Sequence, residues 1–157
     1  MCIVIDPNCI PSVFGSSASD RDDFKPINQW ISRRSGKLVY GGSKWYREFS
    51  YHSRYVGIIA ELERSGRVVR VNDGEVDRLQ KQLERRRRHK NFDDAHLVAI
   101  LIVSRVMLVC TKDKHACRFL KDKTLYPNGM ARPKIYSNIK HKHLIADKYL
   151  VGICRSG

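Results

Sequence analysis

Cys2-Ile3-Val4-Ile5-Asp6-Pro7-Asn8 is the stretch that sets the fold class. Four consecutive apolar residues, with no polar alternation, read as a strand covered on both faces, and Asp6-Pro7 ends it. The pattern returns at 106–110, an apolar run closed by Thr111-Lys112-Asp113. Shorter strands are expected at Lys37–Tyr40, closed by Gly41-Gly42, at 67–71 and at Lys134–Tyr136. Between them the spacing turns helical. Short helices are expected at Ile10–Phe14, 24–34 and Lys114–Leu120, with 15–23 as a loop. Ser43 N-caps an expected helix over 44–65, with Tyr46, Phe49, Val56, Ile59 and Leu62 on its face. Asn72 with Glu75 resembles a capping box opening a helix that buries Val76, Leu79 and Leu83. A further helix starts at Asp93 or Asp94 and is apolar nearly all round, which predicts burial. The 139–150 stretch admits no single reading. Strands that alternate with helices give an α/β protein, a three-layer α/β/α sandwich with a mainly parallel central sheet.

A chain of 157 residues suits one core, so a single domain over 1–157 is expected, with a basic tail from about residue 138. Net charge is +14, and it is lopsided: residues 85–157 hold 17 of the 30 Lys and Arg but only 5 of the 16 Asp and Glu. Such a surplus is the footprint of a protein that meets a polyanion, nucleic acid above all. A solubilising surface or an acidic protein partner would look the same in composition. The longest apolar run, 97–103, falls well short of the ~20 residues of a bilayer span. No basic segment precedes the first apolar run, as one would in a signal peptide. A cytoplasmic protein without membrane contact is therefore expected. Five cysteines in no metal-binding spacing read mostly as small buried thiols in a reducing compartment.

In an open parallel sheet, ligands bind beyond the carboxyl ends of the strands. Asp6 and Asp113 fall at that edge, and Asp94 opens a helix there. Glu48 lies near the start of another helix. Convergent carboxylates raise one another's pKa unless a cation joins them. Hard oxygen ligands of this kind suit Mg²⁺ or Mn²⁺, which can activate water against a phosphodiester. Taken singly, each Asp is as readily a helix or turn cap, and Glu48 a solvated residue.

Jointly, the four segments resemble the PIN-domain family of metal-dependent ribonucleases. The opening Ile3-Val4-Ile5-Asp6-Pro7-Asn8 looks like the family's first motif, and Asp93-Asp94-Ala95-His96-Leu97-Val98-Ala99 like its third. Val109-Cys110-Thr111-Lys112-Asp113 looks like its fourth. Glu48 fits the place of the second, with Glu61 and Glu63 on the same expected helix as competitors. The resemblance implies that Asp6, Glu48, Asp94 and Asp113 hold Mg²⁺ or Mn²⁺, supported by Asn8 and Thr111, with Asp93 an accessory ligand or a cap. It implies an endoribonuclease. Many members are toxins held by an antitoxin protein, and many form homodimers. Two alternatives stay open: an inactive PIN-like module that binds nucleic acid or a partner, and a structure-specific DNA nuclease acting on single-stranded or structured DNA.

Arg85-Arg86-Arg87-Arg88-His89-Lys90 reads as phosphate contacts near Asp94, or as a solvated helix end. Lys112, Lys114, Arg118, Lys121 and Lys123 extend that patch around the fourth acid. Tyr126, Tyr136 and Tyr149 are candidates for base stacking or for burial. His141 and His143 read as part of a solvated basic tail, with metal pairing as the alternative. His96 reads as a core or edge residue.

Overall fold

The computed structural model describes residues 2–145 and 152–155. Tyr149 and the rest of the 146–151 stretch lie outside the described residues. Five parallel strands form one sheet in the order β3-β2-β1-β4-β5. They are β1 (Cys2–Ile5), β2 (Lys37–Tyr40), β3 (Val68–Arg70), β4 (Leu108–Cys110) and β5 (Lys134–Tyr136). Every residue of β1 and β4 is buried. Successive strand side chains point to opposite faces, so complete burial requires cover on both. The fold is α/β around an all-parallel sheet, compatible with the expected three-layer sandwich.

Seven helices join the strands. They are α1 (Ile10–Phe14), α2 (Arg21–Arg33), α3 (Ser43–Ser50), α4 (Val56–Arg64), α5 (Asp73–Arg86), α6 (Ala95–Ser104) and α7 (Lys114–Leu120). Helices α5 and α6 pack on each other, as do α1 and α2. Helix α6 is the most buried: from Ala95 to Leu101 no residue exposes any surface. Burying side chains such as Leu97 or Ile100 contributes about 1.5–3 kcal/mol each. The Asn72 side chain accepts from the Glu75 amide and starts α5 as its capping pattern predicts. Among the described residues no helix is long and apolar enough to cross a membrane.

Three expectations need correction. The single helix over 44–65 is two, α3 and α4, separated by a short 3-10 turn at Ser53–Tyr55. The apolar stripe lapses there, because His52 and Ser53 occupy the positions that should follow Phe49, and Val56 is 51% exposed. The 15–23 loop is shorter than expected, since α2 begins at Arg21 with Asp22 and Asp23 favouring its positive end. The cysteines are not all thiols. Cys2 and Cys154 form a disulfide with Cα atoms 6.0 Å apart, within the usual span. No spacing rule anticipates a pair separated by 152 residues. Cys9 and Cys110 are buried and free, as expected.

Candidate active site

The chain lays down β1, β2 and β3 towards one edge, then crosses over to add β4 and β5 on the other side of β1. The connections therefore diverge at the carboxyl ends of β1 and β4, which is where such sheets leave a crevice. Register decides what lines it. Ile5 pairs with Cys110. The next residues, Asp6 and Thr111, thus emerge side by side, and the Asp6 amide continues the ladder by donating to the Cys110 carbonyl at 3.0 Å. Thr111 Oγ1 donates to Asp6 Oδ2 at 2.8 Å, and the Asn8 amide donates to Asp6 Oδ1 at 3.0 Å. Thr111 and Asn8, expected to support the acid cluster, both bond to Asp6, Asn8 through its backbone. Burial pushes the Asp6 carboxyl up, and a Glu48 charge adds to this. The two hydrogen bonds and His96 offset only part of that rise.

Asp94 precedes α6 but makes no side-chain cap hydrogen bond, so a capping role fails for it. Its pKa is pushed up to about 6, by burial first and then by the charge of Asp6, with Asp113 and Glu48 adding to it and His96 opposing. Four carboxylates from distant parts of the chain thus lie within electrostatic reach of one point. Asp113 does cap: its Oδ1 accepts from the His115 and Ala116 amides at the start of α7. Its Oδ2 has no hydrogen-bond partner among the described residues, so capping leaves that oxygen uncommitted.

Glu48 reaches the crevice from α3. That helix is anchored by Trp45, whose fully buried indole donates to the Ile5 carbonyl at 3.0 Å. Glu48 stands one turn further on. Its Oε2 faces His96 Nε2 at 3.2 Å, and Lys44 lies 3.8 Å from its Oε1. Burial would raise the Glu48 carboxyl, but His96, Lys44 and Arg47 outweigh it and hold the group below its ordinary value. The competitors lie elsewhere. Glu63 binds Arg70 and the Tyr40 hydroxyl, and Glu61 is exposed on α4.

His96 is the residue that sequence reasoning placed only as core or edge. It exposes no surface, and the approach to Glu48 has the distance of an ion pair without the angle of a hydrogen bond. Both ring nitrogens and Glu48 Oε2 consequently lack hydrogen-bond partners. The signal was available: a ring with two polar atoms on a helix expected to be wholly buried must point at something polar. Asp93 is exposed, and its carbonyl, not its carboxylate, accepts from Lys44 Nζ.

The basic residues divide. Arg87 pairs with Asp122 at 2.6 Å and Arg86 donates to the Thr124 carbonyl, whereas Arg85, Arg88 and Lys90 are exposed with no ion pair among the described residues. Lys112 is held by Asp20 at 2.6 Å and by Ser12. Lys114 is exposed and unpaired among the described residues. Tyr126 and Tyr136 are buried, which leaves neither ring open for stacking. His141 accepts from the Ser137 amide within a 3-10 turn at Ile139–Leu144.

Among the described residues no three Asp, Glu, His or Cys side chains are gathered closely enough to hold one ion. The donor set is nonetheless right in kind for a hard divalent cation, being carboxylate oxygens, among them a buried Glu48 Oε2 that accepts no hydrogen bond. A comparison with models of known protein families, with curated proteins and with solved structures finds no match to this chain.

Proposed function

We propose that the chain is a Mg²⁺- or Mn²⁺-dependent endoribonuclease acting at the crevice between β1 and β4. The observation that carries this reading is geometric: Asp6 and Thr111 leave the paired strands β1 and β4 side by side, Asp113 follows at the start of α7, and Asp94 stands at the start of α6, where burial and the neighbouring carboxylates push its carboxyl up to about 6. Mutual repulsion of that kind calls for a cation, and a chain of +14 supplies the means to hold a polyanion near carboxylates that would repel it. Asp6, Asp94 and Asp113 would hold the ion, with Glu48 either ligating it or orienting water. The cation, once bound, would neutralise charge on the phosphodiester and promote ionisation of water. The chain's own contribution is positional. Thr111 and the Asn8 amide fix both oxygens of Asp6, α7 fixes Asp113, and His96 with Lys44 holds Glu48.

A second reading, a nucleic-acid-binding domain without hydrolysis, is favoured by one observation: no three donors are closed around one point among the described residues. The deciding test is cleavage of labelled single-stranded RNA, with single- and double-stranded DNA in parallel, in Mn²⁺, in Mg²⁺ and in EDTA. Cleavage lost in EDTA and in Asp6→Asn supports the enzyme, and the preferred strand assigns RNA or DNA. Binding without cleavage in either metal sinks the enzyme and supports the binding domain.

A further inference from the structure

We infer that a single-stranded polynucleotide leaves the acidic crevice along a cationic groove between α7 and the segment after β5, and not across the Arg85–Arg88 run. This rests on the nucleic-acid reading above. Two clefts, of about 600 and 780 Å³, share Cys117, Lys121 and Ser137 as lining, so they lie side by side and a strand that follows one meets the other. Its first wall is a helical stripe. Lys114, Cys117 and Arg118 are spaced by three and four residues, which puts them on one face of α7, Lys121 follows at its C-cap, and all four line the first cleft. That stripe starts immediately after Asp113, so one end of the groove abuts the acids. Lys123, Arg132 and Lys134 continue it through the second cleft.

The acids in the groove cancel only part of this charge. Asp20 is paired with Lys112 at 2.6 Å, and Asp23, which accepts from the Ile139 amide at 3.1 Å, leaves one carboxylate against the several cations of the lining. Lys114, Arg118, Lys121, Lys123 and Lys134 are exposed, with no ion pair among the described residues. The Arg85–Arg88 run is weaker than its composition suggests, because Arg86 and Arg87 tether the end of α5 to the 122–124 turn. Among the described residues the groove has no open tyrosine: Tyr126 and Tyr136 are buried. A lining in which Lys and Arg far outnumber open rings, His143 being the exposed one among the described residues, reads mainly backbone phosphate and little of base identity. Binding along the groove is therefore sequence-tolerant and steeply salt-dependent.

The test is anisotropy of a labelled single-stranded RNA, and of a DNA strand of the same sequence, with the full chain in EDTA so that nothing is cut. Arg118→Glu, Lys121→Glu and Lys123→Glu are combined in one variant, Arg85→Glu and Arg88→Glu in another, with melting curves to confirm folding. A milder Lys121→Gln, Lys123→Gln variant serves if the first does not fold. The groove variant should lose at least about tenfold in affinity and flatten the salt dependence, the arginine variant less than about threefold. Equal losses, or the reverse order, overturn the inference, as does a wild-type chain that binds no strand. The two readings fail separately. Groove-mapped binding without metal-dependent cleavage removes the enzyme and keeps the groove. Cleavage whose binding maps to Arg85 and Arg88 removes the groove and keeps the enzyme.

Discussion

Glu48 and His96 meet across the crevice, Oε2 to Nε2 at 3.2 Å, one brought by α3 and the other by a helix with no exposed face at that point. Each is the other's nearest compensation for burial. His96→Leu keeps the bulk and removes the polar ring, so the Glu48 carboxyl should titrate at higher pH than in the parent. Carboxyl NMR of Glu48 reads this directly. His96→Gln, which keeps a donor, should restore part of the shift. Cleavage by the Leu variant should fall about 10–100-fold, as for other groups that orient a ligand through hydrogen bonding. An unmoved Glu48 titration would show that the pair is only a packing contact.

Asp94 makes stability depend on pH in an unusual direction for a carboxylate. Its folded-state value, about 6, lies above its ordinary 3.8. The folded chain therefore binds this proton more tightly than the unfolded chain does. Its contribution is complete below about pH 4 and is lost as pH rises through about 6. Asp94→Asn should stabilise the protein in EDTA at neutral pH by on the order of 1 kcal/mol, after allowing for its partial exposure, and should make no difference below about pH 4. Melting curves across that range check it. A variant less stable than the parent at neutral pH contradicts the sign.

Trp45 is the pin that sets the height of Glu48. Trp45→Phe retains an aromatic ring but leaves the buried Ile5 carbonyl without its indole donor, a loss of about 1–3 kcal/mol. Glu48, one turn along the same helix, should shift with it. Activity measured well below the new melting temperature should therefore fall more than stability explains. Activity unchanged in a destabilised variant would separate the pin from the site.

The Cys2–Cys154 disulfide closes a loop of 152 residues, nearly the whole chain. Loop entropy alone would make such a bond worth about 5 kcal/mol, and disulfides typically contribute about 2–4 kcal/mol. Cys154→Ser, or reduction, should lower the melting temperature by several degrees. Cys117→Ser, at a free cysteine, should not. Equal melting of oxidised and reduced protein would refute the contribution.

Strand positions were legible because a short, continuous apolar run such as Cys2–Ile5, closed at once by Asp6-Pro7, fits little besides a strand buried on both faces. Three acids were legible because strand ends and helix starts share one edge of a parallel sheet. What escaped depended on partners far away in sequence. Nothing local marks Cys154 as the partner of Cys2, or Arg87 as the partner of Asp122. The break between α3 and α4 hung on two polar residues inside a plausible stripe. His96 escaped because a buried histidine has many uses, and only its facing residue selects among them.

The crossover that places β4 beside β1 has a consequence during synthesis. Asp6 and Glu48 leave the ribosome early, but Asp94 and Asp113 arrive only with the last part of the chain, and β4 must insert beside β1 before they meet. A truncated or still-growing chain carries two acids and no crevice. Neither an amino-terminal fragment ending at the close of α5 nor the remaining fragment alone should show the proposed cleavage. Mixing the two should be the sole route by which separate pieces regain what the intact chain does.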